Sequence, residues 1–583
     1  METVGIVGCG TMGSGIAAAA ARAGHEVVVR VLDEAHEAVG RERVRGALAG
    51  TSREDARIDE ELARVSFVIE AAGLAGAGMV IEAVPEDLET KRAVFAELGE
   101  ACREDAVLAT NTSSLPVIAL ATASGRPERV VGLHFFNPPP VMKLVELVET
   151  VATAADASAR ARGFAEALGK TVVACRDRAG FIANVLLFPY INEAVRLLDQ
   201  GYATREDIDT AMKLGAGHPM GPLELADLIG LDACMQVMQS LHAQFQEPRY
   251  LPSPAFRHLV TAGFTGRKAG RGFYTYDEPN SGRTVEDARG GSQREAAVPS
   301  RVVGTVGVVG TGTVGAGVAE VAARAGFDVV AWGRSDASIE RGRAAVERST
   351  GKALEKGKLA EPDRDALLGR IRWTTDLGDL GQADLIVEAV AEDLDVKLGV
   401  FRDLGKVAAD HAVLSTATSS LAVVDLAAAS GRIDRVLGLH FFNPVPMMKL
   451  VEVVTTVGTS EEAVATAVAA VERMGKTWVP CGDRAGFIVN RLLFPYLNDA
   501  VRMHEDGYAS PEDIDAAMTL GANHPIGPLA LVDLVGLDVT LEILRALHRE
   551  SGEPGFAPAP LLEHMVQAGF LGTKSGRGFR AGA

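Results

Sequence analysis

Cysteine is scarce in this chain, and the few present form no pattern. Cys9, Cys102, Cys175, Cys234 and Cys481 are spread over 583 residues without a CxxC pair. Scattered cysteines in odd number exclude a disulfide framework and a thiolate metal cluster, so no metal is expected, and they point to a reducing compartment. Basic excess is missing too. A net charge of −19 argues against nucleic acid or an anionic membrane as the main partner, and an anionic ligand would need locally placed Lys, Arg or helix N-termini. Long hydrophobic runs are also lacking: "GIAAAAARAG" is short and Arg22 interrupts it, so it is no membrane span. "ETVGIVGCG" starts as a strand, without the basic flank or cleavage site of a signal peptide. With 47% apolar and 23% charged residues, a soluble cytoplasmic protein of several domains is the expectation.

What the chain does have, it has twice. "GLHFFNPPPVMKLVE" (132–146) and "GLHFFNPVPMMKLVE" (438–452) differ at two of fifteen positions. His134 and His440 stand 306 residues apart, as do Glu146 and Glu452, Ser113 and Ser419, Asn184 and Asn490, and Lys170 and Lys476. The glycine pairs Gly8/Gly310, Gly10/Gly312 and Gly13/Gly315 are offset by 302, so four residues were gained or lost in between. A unit of roughly 280 residues is therefore duplicated in tandem, too long for a solenoid repeat. Residues 277–300, rich in Gly, Ser and charge, read as a linker between the copies.

Each copy opens strand, Gly-rich turn, helix, strand, and further short apolar runs ("MVIEAV", "AVLAT", "RVVGLHF") follow. Alternating strands and helices predict an α/β Rossmann-type, doubly wound parallel sheet over 1–179 and 301–485. The pattern then changes. Leu187, Tyr190, Ile191, Ala194 and Leu198 recur at helical spacing. Thr204 with Asp207, and Ser510 with Asp513, read as N-caps. Residues 180–276 and 486–583 are thus expected to be all-α.

In "GIVGCGTMGSG" and "GVVGTGTVGAG" the first glycine of each GxGxxG makes a tight turn. The second lets a pyrophosphate approach, and the third packs helix on strand. A lone GxGxxG is weak evidence, but the strand–turn–helix context, repeated, makes an ordinary glycine turn a poor explanation. An acid about twenty residues on would bind the ribose 2′-OH. Copy one has Val31 there, with Asp33 two residues later; copy two has Gly333, then Arg334 and Ser335. An Arg at this place accepts a 2′-phosphate and favours NADP, or it belongs to a solvated turn; both readings stand.

His134 follows the strand-like "RVVGL", and strand C-terminal ends are where open α/β sheets build their sites. Glu146 is too far along the chain for a helical partner, so the chain must fold back for the two to meet. A carboxylate would then fix the imidazole tautomer, and the ring would take a proton from a substrate hydroxyl. Taken alone, Ser113 reads better as a turn serine and Asn184 as a helix cap; only the joint pattern lifts them.

"NTSSL" (111–115), "GLHFFNP" (132–138), "KLVE" (143–146), "GFIAN" (180–184), "HPMGPLELADLIGLD" (218–232) and "GRKAGRGFY" (266–274) resemble the 3-hydroxyacyl-CoA dehydrogenase family, of the 3-hydroxybutyryl-CoA type. The resemblance covers nearly all of the chain outside the linker. It implies NAD(P)-dependent interconversion of (S)-3-hydroxyacyl-CoA and 3-oxoacyl-CoA, on short chains. It implies His134 as general base, Glu146 as its partner, Ser113 on the substrate oxygen and Asn184 orienting it. Glu86 and Lys91 would lie at the nicotinamide side. Copy two keeps Ser419, His440, Glu452, Asn490, Glu392 and Lys397. NAD is the family default, NADP is allowed, above all in copy two, and coenzyme A comes with the substrate. The family's CoA-holding lysines are matched in copy two by Lys352, Lys356 and Lys358; copy one has none there. Ala417 replaces Asn111, and Val185 stands where copy two has Arg491. The helical domains would pair within the chain or between chains. Three rivals remain: one dead scaffold module, a dinucleotide-binding sensor without turnover, and a dehydrogenase of a free hydroxy acid.

Overall fold

The structure is a computed structural model and describes residues 2–50, 54–287 and 301–580. The first sheet contains β1 (Val4–Val7), β2 (Val27–Arg30), β3 (Val65–Val68), β4 (Met79–Glu82), β5 (Val107–Thr110), β6 (Val130–Phe135), β7 (Leu144–Glu149) and β8 (Thr171–Arg176). Its strand order is β3-β2-β1-β4-β5-β6-β7-β8. The central strands are apolar throughout because helices cover both faces; every residue of β1, β4 and β5 is buried.

The expected doubly wound, mainly parallel sheet is present, with one antiparallel step. β7 runs antiparallel to β6, and β8 follows β7 in parallel. Only residues 136–143 join β6 to β7, too few for the helical crossover that parallel neighbours need.

The expected linker is also shorter than its composition suggests. β9 (Thr275–Tyr276) and β10 (Thr284–Val285) form a small hairpin. Asp287 accepts hydrogen bonds from Arg205 (2.9 Å) and Thr275 (2.5 Å). Residues 277–287 are thus docked on the first helical domain, while 288–300 lie outside the described residues.

The second sheet repeats the first: β11 (Thr305–Val309), β12 (Asp328–Trp332), β13 (Ile371–Thr374), β14 (Leu385–Glu388), β15 (Val413–Thr416), β16 (Val436–Phe441), β17 (Leu450–Thr455) and β18 (Thr477–Gly482). The order is β13-β12-β11-β14-β15-β16-β17-β18, again with one antiparallel step, between β16 and β17.

Helix Ala183–Asp199 begins the first helical domain and helix Val489–Glu505 the second. Thr204 and Ser510 cap the next helices by accepting the N–H of Asp207 and Asp513.

The two modules are joined through these domains. Leu186, Ile191, Leu492 and Leu497 belong to one apolar core shared by both copies, while the outer face of each sheet has a core of its own. Helices Ala183–Asp199 and Val489–Glu505 pack against each other. Helix Arg205–Gly215 lies on β17 and β18, and helix Pro511–Gly521 lies on β7 and β8. Arg491 pairs with Glu193 at 2.9 Å, Arg178 with Asp506 at 3.0 Å, and Arg249 with Asp499. The His218 and His524 rings stack between the modules, centroids 4.0 Å apart.

Candidate active site

The glycine loops come first in the chain. Gly8 (φ +94°) and Gly310 (φ +107°) adopt a conformation that side-chain-bearing residues avoid. A Cβ on Gly13 would stand 2.0 Å from the Gly8 carbonyl oxygen, so helix Thr11–Arg22 could not sit this close to β1 with any other residue. A Cβ on Gly10 would meet nothing within 4 Å. The backbone there is open at a helix N-terminus, which fits the diphosphate of a dinucleotide. Copy two reproduces this at Gly310, Gly312 and Gly315.

The turns after β2 and β12 differ. Asp33 caps helix Glu34–Ala49, taking the His36 N–H at 2.8 Å and the His36 ring at 2.7 Å; these bonds hold its carboxyl below the usual range. Ser335 caps helix Asp336–Glu355 in a capping box with Ser338, beside the exposed Arg334. An exposed carboxylate marks one turn and an exposed guanidinium the other.

β6 carries His134, and β7 returns Glu146 directly opposite it in register. Both are buried, and His134 Nδ1 lies 2.7 Å from Glu146 Oε2. A carboxylate only accepts, so Nδ1 carries the proton and Nε2 keeps its lone pair. The other oxygen, Oε1, accepts the N–H groups of Ile182 (3.0 Å) and Ala183 (2.8 Å) at the start of helix Ala183–Asp199. The carboxylate therefore replaces a side-chain cap, which this helix lacks. Phe181, at φ +50°, bends the chain into this position and sets its ring 5.7 Å from the His134 ring. In copy two His440 Nδ1 to Glu452 Oε2 is 2.6 Å, and Ile488 and Val489 donate to Oε1 at 3.0 and 2.9 Å.

Asn184 sits on the first turn of that helix and donates from Nδ2 to the Ser113 carbonyl at 3.3 Å. Glu86 Oε1 then accepts from Ser113 N–H (2.9 Å), Ser113 Oγ (3.3 Å) and Thr112 Oγ1 (2.6 Å). Lys91 lies 3.3 Å from the other Glu86 oxygen and donates to Glu82 at 2.6 Å. Burial pushes the Glu86 carboxyl up, but the Lys91 charge and the Thr112 and Ser113 donors outweigh it and hold it below the usual range. Lys91 is 1% exposed, so it acts on the site through Glu86 rather than from the cleft. Asn490, Ser419, Glu392, Lys397 and Glu388 form the same chain in copy two.

The structure thus brings together His134, Glu146, Asn184, Ser113, Glu86 and Lys91. Lys352, Lys356 and Lys358 are exposed around the C-terminal end of helix Asp336–Glu355 and make no contact with this network. Asn111 accepts the Phe135 N–H at 2.9 Å, a bond that Ala417 has no side chain to make.

Sequence reading missed Glu82 and Glu388. Their signal is an acid at the end of a fully buried strand, in both copies. It also missed Phe136, whose ring is 4.6 Å from that of His134. A Cβ on Gly521 of the second module would stand 3.2 Å from the Phe136 ring and 2.8 Å from Leu144, so the second module walls the first site. Among the described residues no group of three or more His, Cys, Asp or Glu could hold a metal ion, and no helix is long and apolar enough to cross a membrane.

Comparison with known proteins agrees with this geometry. The family model "3-hydroxyacyl-CoA dehydrogenase, NAD binding domain" matches residues 3–178 and 305–484, and "3-hydroxyacyl-CoA dehydrogenase, C-terminal domain" matches 180–276 and 486–582. The 3-hydroxybutyryl-CoA dehydrogenase of Mycobacterium tuberculosis is 49% identical over 282 residues, 48% of this chain and 99% of that protein. The 3-hydroxyadipyl-CoA dehydrogenase of Escherichia coli K12 is 31% identical over 98% of this chain and 99% of its own length. The crystal structure of 3-hydroxybutyryl-CoA dehydrogenase from Escherichia coli K12 superposes with a TM-score of 0.70 at 29% identity, covering 98% and 99% of the two chains. Two glycine-loop sheets, two helical domains and two His–Glu pairs therefore make this chain a member of the 3-hydroxyacyl-CoA dehydrogenase family, an NAD-dependent oxidoreductase of 3-hydroxyacyl-CoA.

Proposed function

We propose that both modules are catalytic, with divisions at 179/180 and 485/486, and that they interconvert short-chain (S)-3-hydroxyacyl-CoA and 3-oxoacyl-CoA. One observation carries the reading. The chain from Lys91 through Glu86 and Ser113 to Asn184, and the His134–Glu146 pair whose second carboxylate oxygen caps the helix carrying Asn184, recur as Lys397, Glu392, Ser419 and Asn490 with His440 and Glu452.

In each module the His Nε2 takes the proton of the 3-hydroxyl group during oxidation and returns it during reduction. Such positioned base catalysis contributes about 10²–10⁴-fold, and Glu146 or Glu452 holds the ring and stabilises its charged form. Ser113 and Asn184, with Ser419 and Asn490, orient the reacting oxygen. The dinucleotide, held on the glycine loops, supplies the hydride acceptor.

Asp33 suits module one to NAD, since an exposed carboxylate repels a 2′-phosphate. Arg334 and Ser335 let module two accept NADP. Lys352, Lys356 and Lys358 hold the CoA phosphates in module two. Pairing of the helical domains inside one chain takes the place of a dimer. The M. tuberculosis relative's name supports a four-carbon substrate. The name of the full-length E. coli relative favours a second reading, a dicarboxylic six-carbon chain.

The test is the 340 nm absorbance change with acetoacetyl-CoA and with 3-oxoadipyl-CoA, using NADH and NADPH separately. Wild type, His134→Ala, His440→Ala and the double variant are compared. Each single variant should keep part of the rate and the double variant lose it. If one single variant loses everything, the other module is a scaffold. Faster turnover of the dicarboxylic thioester selects the second reading.

A further inference from the structure

Lys170 is a buried cation that spends its donors on backbone carbonyls, and Lys476 is its half-buried counterpart, with the Glu320 carboxylate in electrostatic range. Lys170 is 9% exposed and donates from Nζ to the carbonyls of Pro139 (2.5 Å) and Met142 (2.8 Å). Lys476 donates to Val445 (2.5 Å) and Met448 (2.7 Å). Burial lowers both ammonium groups, Lys476 to about 8. Keeping a cation in such a place is costly unless its donors are used. Here they are used on one target, the segment 136–143.

That segment has three neighbours. At one end it leaves β6 just after His134, and at the other it enters β7 just before Glu146. On its flank Pro139 presses against the dinucleotide-side helix Thr11–Arg22, where a Cβ on Gly15 would fall 2.8 Å from the proline ring. In copy two Val445 presses on Gly317 in the same way, again at 2.8 Å. The lysine itself stands at the threshold of β8, which pairs with β7 from Leu144↔Thr171 onward.

We propose that Lys170 and Lys476 are positioning residues. Each clamps the loop between its His and Glu against the helix that follows the glycine turn, fixing the distance from the proton acceptor to the dinucleotide. The inference rests on the dehydrogenase reading and goes beyond it, since both lysines spend their hydrogen bonds on the loop backbone. A small displacement of reacting groups costs up to 10²-fold in rate, so the expected signature is a loss in kcat with binding intact.

The experiment uses the full chain carrying His440→Ala, in which only module one turns over. Lys170→Met is added, and kcat, KM for acetoacetyl-CoA, NADH affinity by fluorescence titration and the melting temperature are measured. The expected result is a 10- to 100-fold fall in kcat, with KM and NADH Kd within threefold of the parent. Gly15→Ala, which pushes on the same loop from the opposite side, should give the same split. It carries the test if Lys170→Met does not fold. Unchanged kcat in both variants overturns the proposal, and so does a parallel loss of kcat, affinity and melting temperature. A His440→Ala parent without turnover refutes the two-site reading instead; the clamp is then tested by Lys476→Met with His134→Ala.

Discussion

His134 and Glu146 face each other in register across an antiparallel strand pair, and the carboxylate that holds the imidazole at 2.7 Å also caps the helix bearing Asn184. One side chain thus fixes both the imidazole and the helix that carries Asn184.

Glu146→Gln keeps the shape and removes the charge. In the His440→Ala protein kcat should fall about 10²–10⁴-fold, because an amide can present an N–H to Nδ1 and stabilises the imidazolium poorly. The lost charge at the helix N-terminus should cost about 1–2 kcal/mol of stability. Steady-state kinetics and urea unfolding check the two effects separately, and an unchanged kcat would remove Glu146 from the mechanism.

Arg334→Ala should weaken NADPH binding to module two about tenfold, the loss of one charge-assisted hydrogen bond. NADH binding should not change. Fluorescence titration of the His134→Ala protein with each reduced dinucleotide reads this, and equal effects on both would refute a role in phosphate recognition.

His218 and His524 stack in the interface, each with Nδ1 bonded to a tyrosine hydroxyl, Tyr190 or Tyr496, at 3.1 Å. Burial lowers His218 to about 3, helped by its neighbour, and His524 to about 4. The unfolded chain therefore binds these protons first, and stability rises with pH. The pair's contribution is complete above about pH 6.5 and should be lost as pH falls towards 4 and then 3. Asp209, raised to about 7 by burial, acts in the opposite sense, so the comparison must be differential. The change in urea midpoint on going from pH 4.5 to pH 7 should be more positive in wild type than in a His218→Gln/His524→Gln variant, and an equal change in both would remove the pair from the pH dependence.

Gly521→Val places a side chain of module two against Phe136 and Leu144 of module one. Overpacking of this kind costs about 1–3 kcal/mol. In the His440→Ala protein it should lower the turnover of module one, although the substitution lies 385 residues beyond Phe136 in sequence. Assaying the same substitution with His134→Ala shows whether the effect is confined to the opposite site; an equal loss there would mean general destabilisation.

Much of this arrangement was legible in the chain. The 306-residue offset exposed the duplication, the spacing of Gly8, Gly10 and Gly13 fixed the first turn, and Thr204 with Asp207 marked a helix start. These signals are local or repeated. The reversal of β7 was hidden because an apolar strand reads the same in either direction. The Glu82–Lys91–Glu86 ladder was hidden because its members come from a strand end, a loop and a helix. The clamp of Lys170 on Pro139 spans 31 residues. Contact between Phe136 and Gly521 depends on how two domains dock, and no short window of sequence records that.

The crossed packing of helix Pro511–Gly521 on β7 and β8 sets a timetable for synthesis. β8 leaves the ribosome with Arg176, yet the helix that covers it is complete only at Gly521. At elongation rates of about 5–20 residues per second the growing chain carries that face bare for on the order of tens of seconds. The nascent first half is the stage at which this protein most needs a chaperone, or a second nascent chain, to shield it.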